Sequence, residues 1–114
     1  VPVGLGTDTA CPFVTQYDMW RELDFYGKYC GVSNAFALYT GTLLNATLAG
    51  VGDVTGSIEV GKCADMIVTK KNPLDNLSVL RHVQMVVKDG AVYDHPQVKK
   101  IPEVEAEMDK FNRV

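Results

Sequence analysis

Between Lys28 and Asp53 the chain carries no charged side chain. A run as long as residues 29–52 must be shielded by other protein or cross a membrane, for which about 20 apolar residues suffice. The run contains Ser33, Asn34, Thr40, Thr42, Asn45 and Thr47, with Gly31, Gly41 and Gly50 among them. Hydroxyl and amide groups facing hydrocarbon are costly. Buried helices of a water-soluble protein are therefore expected, not a membrane span.

The helical grammar extends upstream. Thr15, with Asp18 three residues on, resembles a helix start, and Met19, Leu23, Tyr26 and Cys30 recur at helical spacing before Gly31. This predicts a helix over 17–29. Ser33 can cap a second helix whose broad face carries Ala35, Leu38, Tyr39, Thr42, Leu43, Ala46 and Ala49, closed by Gly50. Gly41-Thr42 is its weak point, where it is expected to divide into two helices meeting at an angle. The apolar run at 1–6 suits a buried parallel strand, and a chain that opens inside such a strand is expected to continue upstream in a longer protein.

After Gly52 the pattern changes to strands and turns. Residues 56–62 alternate apolar and polar, Met66-Ile67-Val68-Thr69 is a second strand stopped by Asn72-Pro73, and 83–88 is a third. Asp89-Gly90 is a two-residue hairpin signal, with Ala91-Val92-Tyr93 as the return strand. Val104, Met108 and Phe111 give a short terminal helix an apolar stripe. The fold class is mixed, with helices first and short strands after. Four short strands do not close a sheet unaided.

The net charge of −3 argues against nucleic acid or an anionic membrane as partner. Cys11, Cys30 and Cys63 are odd in number and lack CxxC spacing, as expected of reduced thiols in the cytoplasm. Asp8 stands immediately after the first strand, where a carboxylate can hold a metal or take a proton from water; capping the loop is the plainer role. His82 and His95 are far apart and outside any HxH or HExxH pattern, in turn-like contexts. Cys11 lies close to Asp8 in sequence, but no motif supports a thiol nucleophile. The aromatics Tyr17, Trp20, Phe25, Tyr26 and Tyr29 are read as packing, with a partner-binding face as the alternative.

The segment Gly56-Ser57-Ile58-Glu59-Val60-Gly61-Lys62-Cys63-Ala64-Asp65-Met66-Ile67-Val68 resembles the GSIxxGKxADxxV signature in the C-terminal part of amidohydrolase-superfamily enzymes, imidazolonepropionase-like and prolidase-like members among them. The likeness continues through Asn72-Pro73-Leu74 and through the hairpin 86–93. Upstream, Gly6-Thr7-Asp8 resembles the GTD or GSD ending the last barrel strand. Thr42, Ala46 and Gly50 fit T-x-x-x-A-x-x-x-G, with Asn45 one place from the usual Asn.

The resemblance implies a metal-dependent hydrolase of C–N bonds (amide, cyclic amide or dipeptide), with a divalent metal, Zn²⁺ by analogy. It implies the last strand and helices of a TIM barrel over 1–52, part of a small composite β-sandwich over 53–96, and a tail with a short helix over 97–114. Asp8 would be the metal-binding aspartate and general base. The family's other ligands are missing from this sequence, so the chain alone is expected to bind no metal and to be inactive. Asp65 is expected to support the sheet. The substrate would be a small amide, and an incomplete sheet suggests a homo-oligomer. The alternative is a stand-alone, non-catalytic β-rich interaction module.

Overall fold

The computed structural model describes residues 1–12 and 14–112. Helix α1 (Met19–Cys30) begins two residues later than its periodicity suggests and ends at Gly31, whose φ of 71° closes it. Thr15 does not cap a backbone N–H. Its hydroxyl donates to Asp18 Oδ2 at 2.7 Å, and the Asp18 carboxylate is also held by Trp20 Nε1 (3.1 Å) and Arg21 Nε (3.2 Å). Side-chain pairing has taken over the capping groups.

Ser33 caps α2 (Asn34–Tyr39), its oxygen accepting from the Phe36 N–H at 3.1 Å. The weak point at Gly41-Thr42 is a π turn, Thr40–Leu44, which leads directly into α3 (Asn45–Leu48). The helical run is thus bulged and not divided. Thr40, Thr42 and Thr47 each donate to the carbonyl four residues back, back-bonding that bends helices. Leu23, Ala37 and Leu77 form the centre of the core, flanked by Leu5, Tyr26, Val32, Leu38 and Leu80.

The sheet is three-stranded and antiparallel: β1 (Met66–Thr69), β2 (Val83–Lys88) and β3 (Ala91–Asp94), in that order. Lys88 pairs with Ala91 across the two-residue turn, and Asp89 (φ 50°) and Gly90 (φ 81°) both take the positive φ of a type I′ turn. Two expected strands are not formed. Residues 1–6 and 56–62 join no ladder, because a strand needs a partner and neither finds one among the described residues. In the second segment Ile58 and Val60 are 81% and 108% exposed.

Helix α4 (Pro102–Asn112) packs on α1, with its apolar stripe only partly covered: Val104 and Met108 are half-buried. Phe111 is exposed; Glu105 and Asn112 are buried. Arg21, 2% exposed, lies within 3.1 Å of both Glu105 and Asp109 and donates to Asn112 Oδ1 at 2.8 Å. Arg81 joins the same two carboxylates at 3.0 and 2.8 Å, and both guanidinium groups lie over the Trp20 ring. Asn112 Nδ2 donates to Asp24 Oδ2 at 2.7 Å. The helix is held by charge and amide bonds in a half-dry interface.

Candidate active site

Asp8 sits in a loop that departs from ordinary backbone geometry. Its φ is 52° and that of Ala10 is 91°, a region costly for a residue with a Cβ. The loop is braced from within: the Thr7 and Thr9 hydroxyls are 2.6 Å apart, and the Cys11 N–H donates to the Asp8 carbonyl at 3.2 Å. The Asp8 side chain is exposed. Glu22 on α1 is its acidic neighbour; burial pushes the Glu22 carboxyl above its usual range, and the Asp8 charge adds to this.

No group of three or more His, Cys, Asp or Glu side chains placed to hold a metal occurs among the described residues. The residues present therefore do not fit a complete metal site, and Asp8 is at most one ligand of such a site. His82 and His95, both exposed, line a groove with Tyr17, Lys70, Lys71 and Arg81 to which Asp8 does not contribute. His95 Nδ1 is 3.0 Å from Asp94. Cys11 and Cys30 are exposed and Cys63 half-buried, all free thiols. Of the α1 aromatics, Trp20 is buried, Phe25 stacks at a tilt on Tyr29, and Tyr26 on Phe36, so they do pack.

Asp65 is a hub of the sheet. Its Oδ1 accepts from Lys88 Nζ (2.9 Å) and the Asp89 N–H (2.8 Å), and its Oδ2 from the Thr55 hydroxyl (2.8 Å). These bonds, Lys88's first, hold its carboxyl at about 2. Accepting three donors, two from the hairpin and one from the preceding loop, makes it a sheet-supporting group, as expected. Asn45, which residue types alone do not single out, makes a defined contact as well. Both polar atoms of its side chain bond to the backbone of Leu5.

Helices leading into a small antiparallel sheet, with a carboxylate in a strained loop ahead of them, define the unit. The sequence model of the Amidohydrolase family matches residues 1–93, and the chain belongs to that family. Among solved structures, a protein assigned as a prolidase from Bifidobacterium longum is 40% identical with a TM-score of 0.92, over 100% of this chain and 28% of its own. A Xaa-Pro dipeptidase with bound methionine in the active site is 37% identical (TM-score 0.70, 80% of this chain, 22% of its own), and phenylurea hydrolase B is 27% identical (0.66, 80% and 21%). The chain thus spans about a quarter of the length of these structures. No curated protein matches it. No helix of the described residues is long and apolar enough to cross a membrane.

Proposed function

We propose that this chain is the C-terminal portion of a hydrolase of C–N bonds, acting on dipeptides of the Xaa-Pro type. The observation that carries the reading is the likeness, at 40% identity over the whole chain, to a protein assigned as a prolidase. In this reading residues 1–52 end a TIM barrel and 53–96 form part of a composite β-sandwich. Two features support it: β1 and β3 each have an edge unpaired among the described residues, and Ile58 and Val60 are uncovered. Segments from elsewhere in the protein would pair with that sheet.

Asp8 is the residue assigned to chemistry. Its carboxylate would take the proton of the water that attacks the scissile carbonyl, a general-base role. It would also contribute one ligand to a divalent ion, with the other ligands drawn from residues outside this chain. When bound, such an ion supplies Lewis-acid polarisation of the carbonyl. The strained φ of Asp8 and Ala10 is consistent with a loop held in place for function. On this reading the chain alone is inactive. The test is release of free proline from Xaa-Pro dipeptides by the complete protein, purified with Zn²⁺, Mn²⁺ or Co²⁺. Hydrolysis of Xaa-Pro in preference to N-acyl amides supports the reading; no cleavage of either class with any metal overturns it.

A further inference from the structure

We propose that Asn45 is a positioning residue, whose side-chain amide clamps the backbone of Leu5 and so sets the direction in which the chain reaches Asp8. The inference rests on the reading of Asp8 just given. Asn45 Oδ1 accepts from the Leu5 N–H at 2.8 Å, and Asn45 Nδ2 donates to the Leu5 carbonyl at 2.9 Å. One amide thus does for one residue what a neighbouring strand does in a ladder, satisfying its donor and its acceptor together. Only an amide has both functions on adjacent atoms; a carboxylate keeps the acceptor and loses the donor.

The seat is shaped for this contact. A Cβ on Gly4 would lie 2.6 Å from Asn45 Oδ1 and 3.2 Å from Leu48 Cδ1, so a side chain there would displace the amide. The Leu5 side chain packs against the core cluster of Leu23, Ala37 and Leu77. Leu5 is therefore fixed through both backbone and side chain, three residues before Asp8. Among the described residues, the hydrogen bonds of Thr7 to Cys11 run to one another and to the Val14 N–H just beyond. A loop braced internally and anchored at its root moves as a unit with that root.

The π turn delivers Asn45 to this place. The Asn45 N–H bonds to the Thr40 carbonyl, five residues back. A π turn takes up one residue more than an α turn, so Asn45 arrives where the preceding residue would stand on an unbroken helix.

The experiment compares Asn45→Ala, Asn45→Asp and Asp8→Asn in the complete protein, using its fastest Xaa-Pro substrate and amide exchange of residues 4–8. Misplacing a reacting group by about 1 Å can cost about 10²-fold, so Asn45→Ala is expected to lower kcat by ~10–100-fold with KM within about twofold. Exchange at Leu5 should quicken while α1 stays protected. Asn45→Asp, which keeps the acceptor for the Leu5 N–H, should recover part of both; it also decides the matter if Asn45→Ala does not fold. Wild-type kcat in Asn45→Ala with Asp8→Asn inactive overturns this inference alone, as does a loss of kcat that only follows a lowered melting temperature. Full activity of Asp8→Asn overturns the reading of the site and this inference with it.

Discussion

Replacing Arg21 with Met should release the C-terminal helix while leaving the rest of the fold standing. Arg21 is 2% exposed and faces three carboxylates, Asp18, Glu105 and Asp109, at 3.1–3.2 Å. Its Nε and Nη2 lie within ion-pair reach without hydrogen-bond alignment, so Arg21 acts on these carboxylates through charge, while Arg81 hydrogen-bonds Glu105 and Asp109. Removing one side of a buried pair costs about 3–5 kcal/mol, because the other side stays dry and unpaired. Arg81, at 3.0 and 2.8 Å from Glu105 and Asp109, offsets part of this and favours the lower figure. At ~1.4 kcal/mol per tenfold, 3 kcal/mol corresponds to roughly a hundredfold faster amide exchange in α4, up to the ceiling set by global unfolding. The assay is exchange by mass spectrometry in the complete protein, comparing α4 with α1. Arg21→Lys keeps the charge but not the fork and should fall between. Exchange of α4 within threefold of wild type in Arg21→Met would refute the account of how this helix is held.

The pH response of the same interface has a definite sign. Burial and the neighbouring Asp18 raise the Glu105 carboxyl, so its contribution to docking is complete below the ordinary carboxylate range and fades as pH rises through its folded value. Burial also opposes ionisation of Asp18 and Asp109, yet hydrogen bonds and the arginines outweigh it and lower both; their contribution is present at neutral pH and fades in acid. Protection of α4 should accordingly pass through a maximum within the ordinary carboxylate range and decline on either side.

Gly90→Val puts a β-branched residue at φ 81° and should destabilise the hairpin by more than about 1 kcal/mol, read from the urea midpoint. Asp65, at about 2, supports the sheet above the ordinary carboxylate range and loses that contribution as pH falls toward 2. Exchange of β2 and β3 should quicken over that interval, and Asp65→Asn should abolish the pH dependence. The isolated 114-residue chain should bind no stoichiometric Zn²⁺ in calorimetry, since among the described residues Asp8 belongs to no group of three or more metal-ligating side chains. One equivalent lost on changing Asp8 would contradict this.

What could be read from the sequence was local. The hairpin at Asp89-Gly90, the Ser33 cap and the stop at Gly31 depend on residues within a few positions of each other, and all three appear in the structure. Segment 56–62 has the alternation of a strand, but alternation only prepares a surface, and pairing requires a partner that these residues do not meet here. The stripe of Val104, Met108 and Phe111 marks the terminal helix that forms, but not what holds it: Arg21, 91 residues from Asn112, attracts the adjacent face of α4. Asn45 was visible as a letter in a pattern, whereas its role depends on Leu5, 40 residues away, and on a π turn that periodicity does not reveal. Asp8 could be named from its place after Gly6-Thr7; its strained backbone and the neighbouring Glu22 belong to the fold.

The central claim is that Asp8 carries the chemistry of a C–N hydrolase, and single-turnover cleavage of a Xaa-Pro dipeptide by the complete protein tests it most directly. Asp8→Asn keeps the size of the side chain and its tolerance of positive φ while removing the base. A positioned general base contributes about 10²–10⁴-fold, so the rate should fall by at least about 10² with the melting temperature unchanged. A variant that cleaves within threefold of wild type would contradict the account.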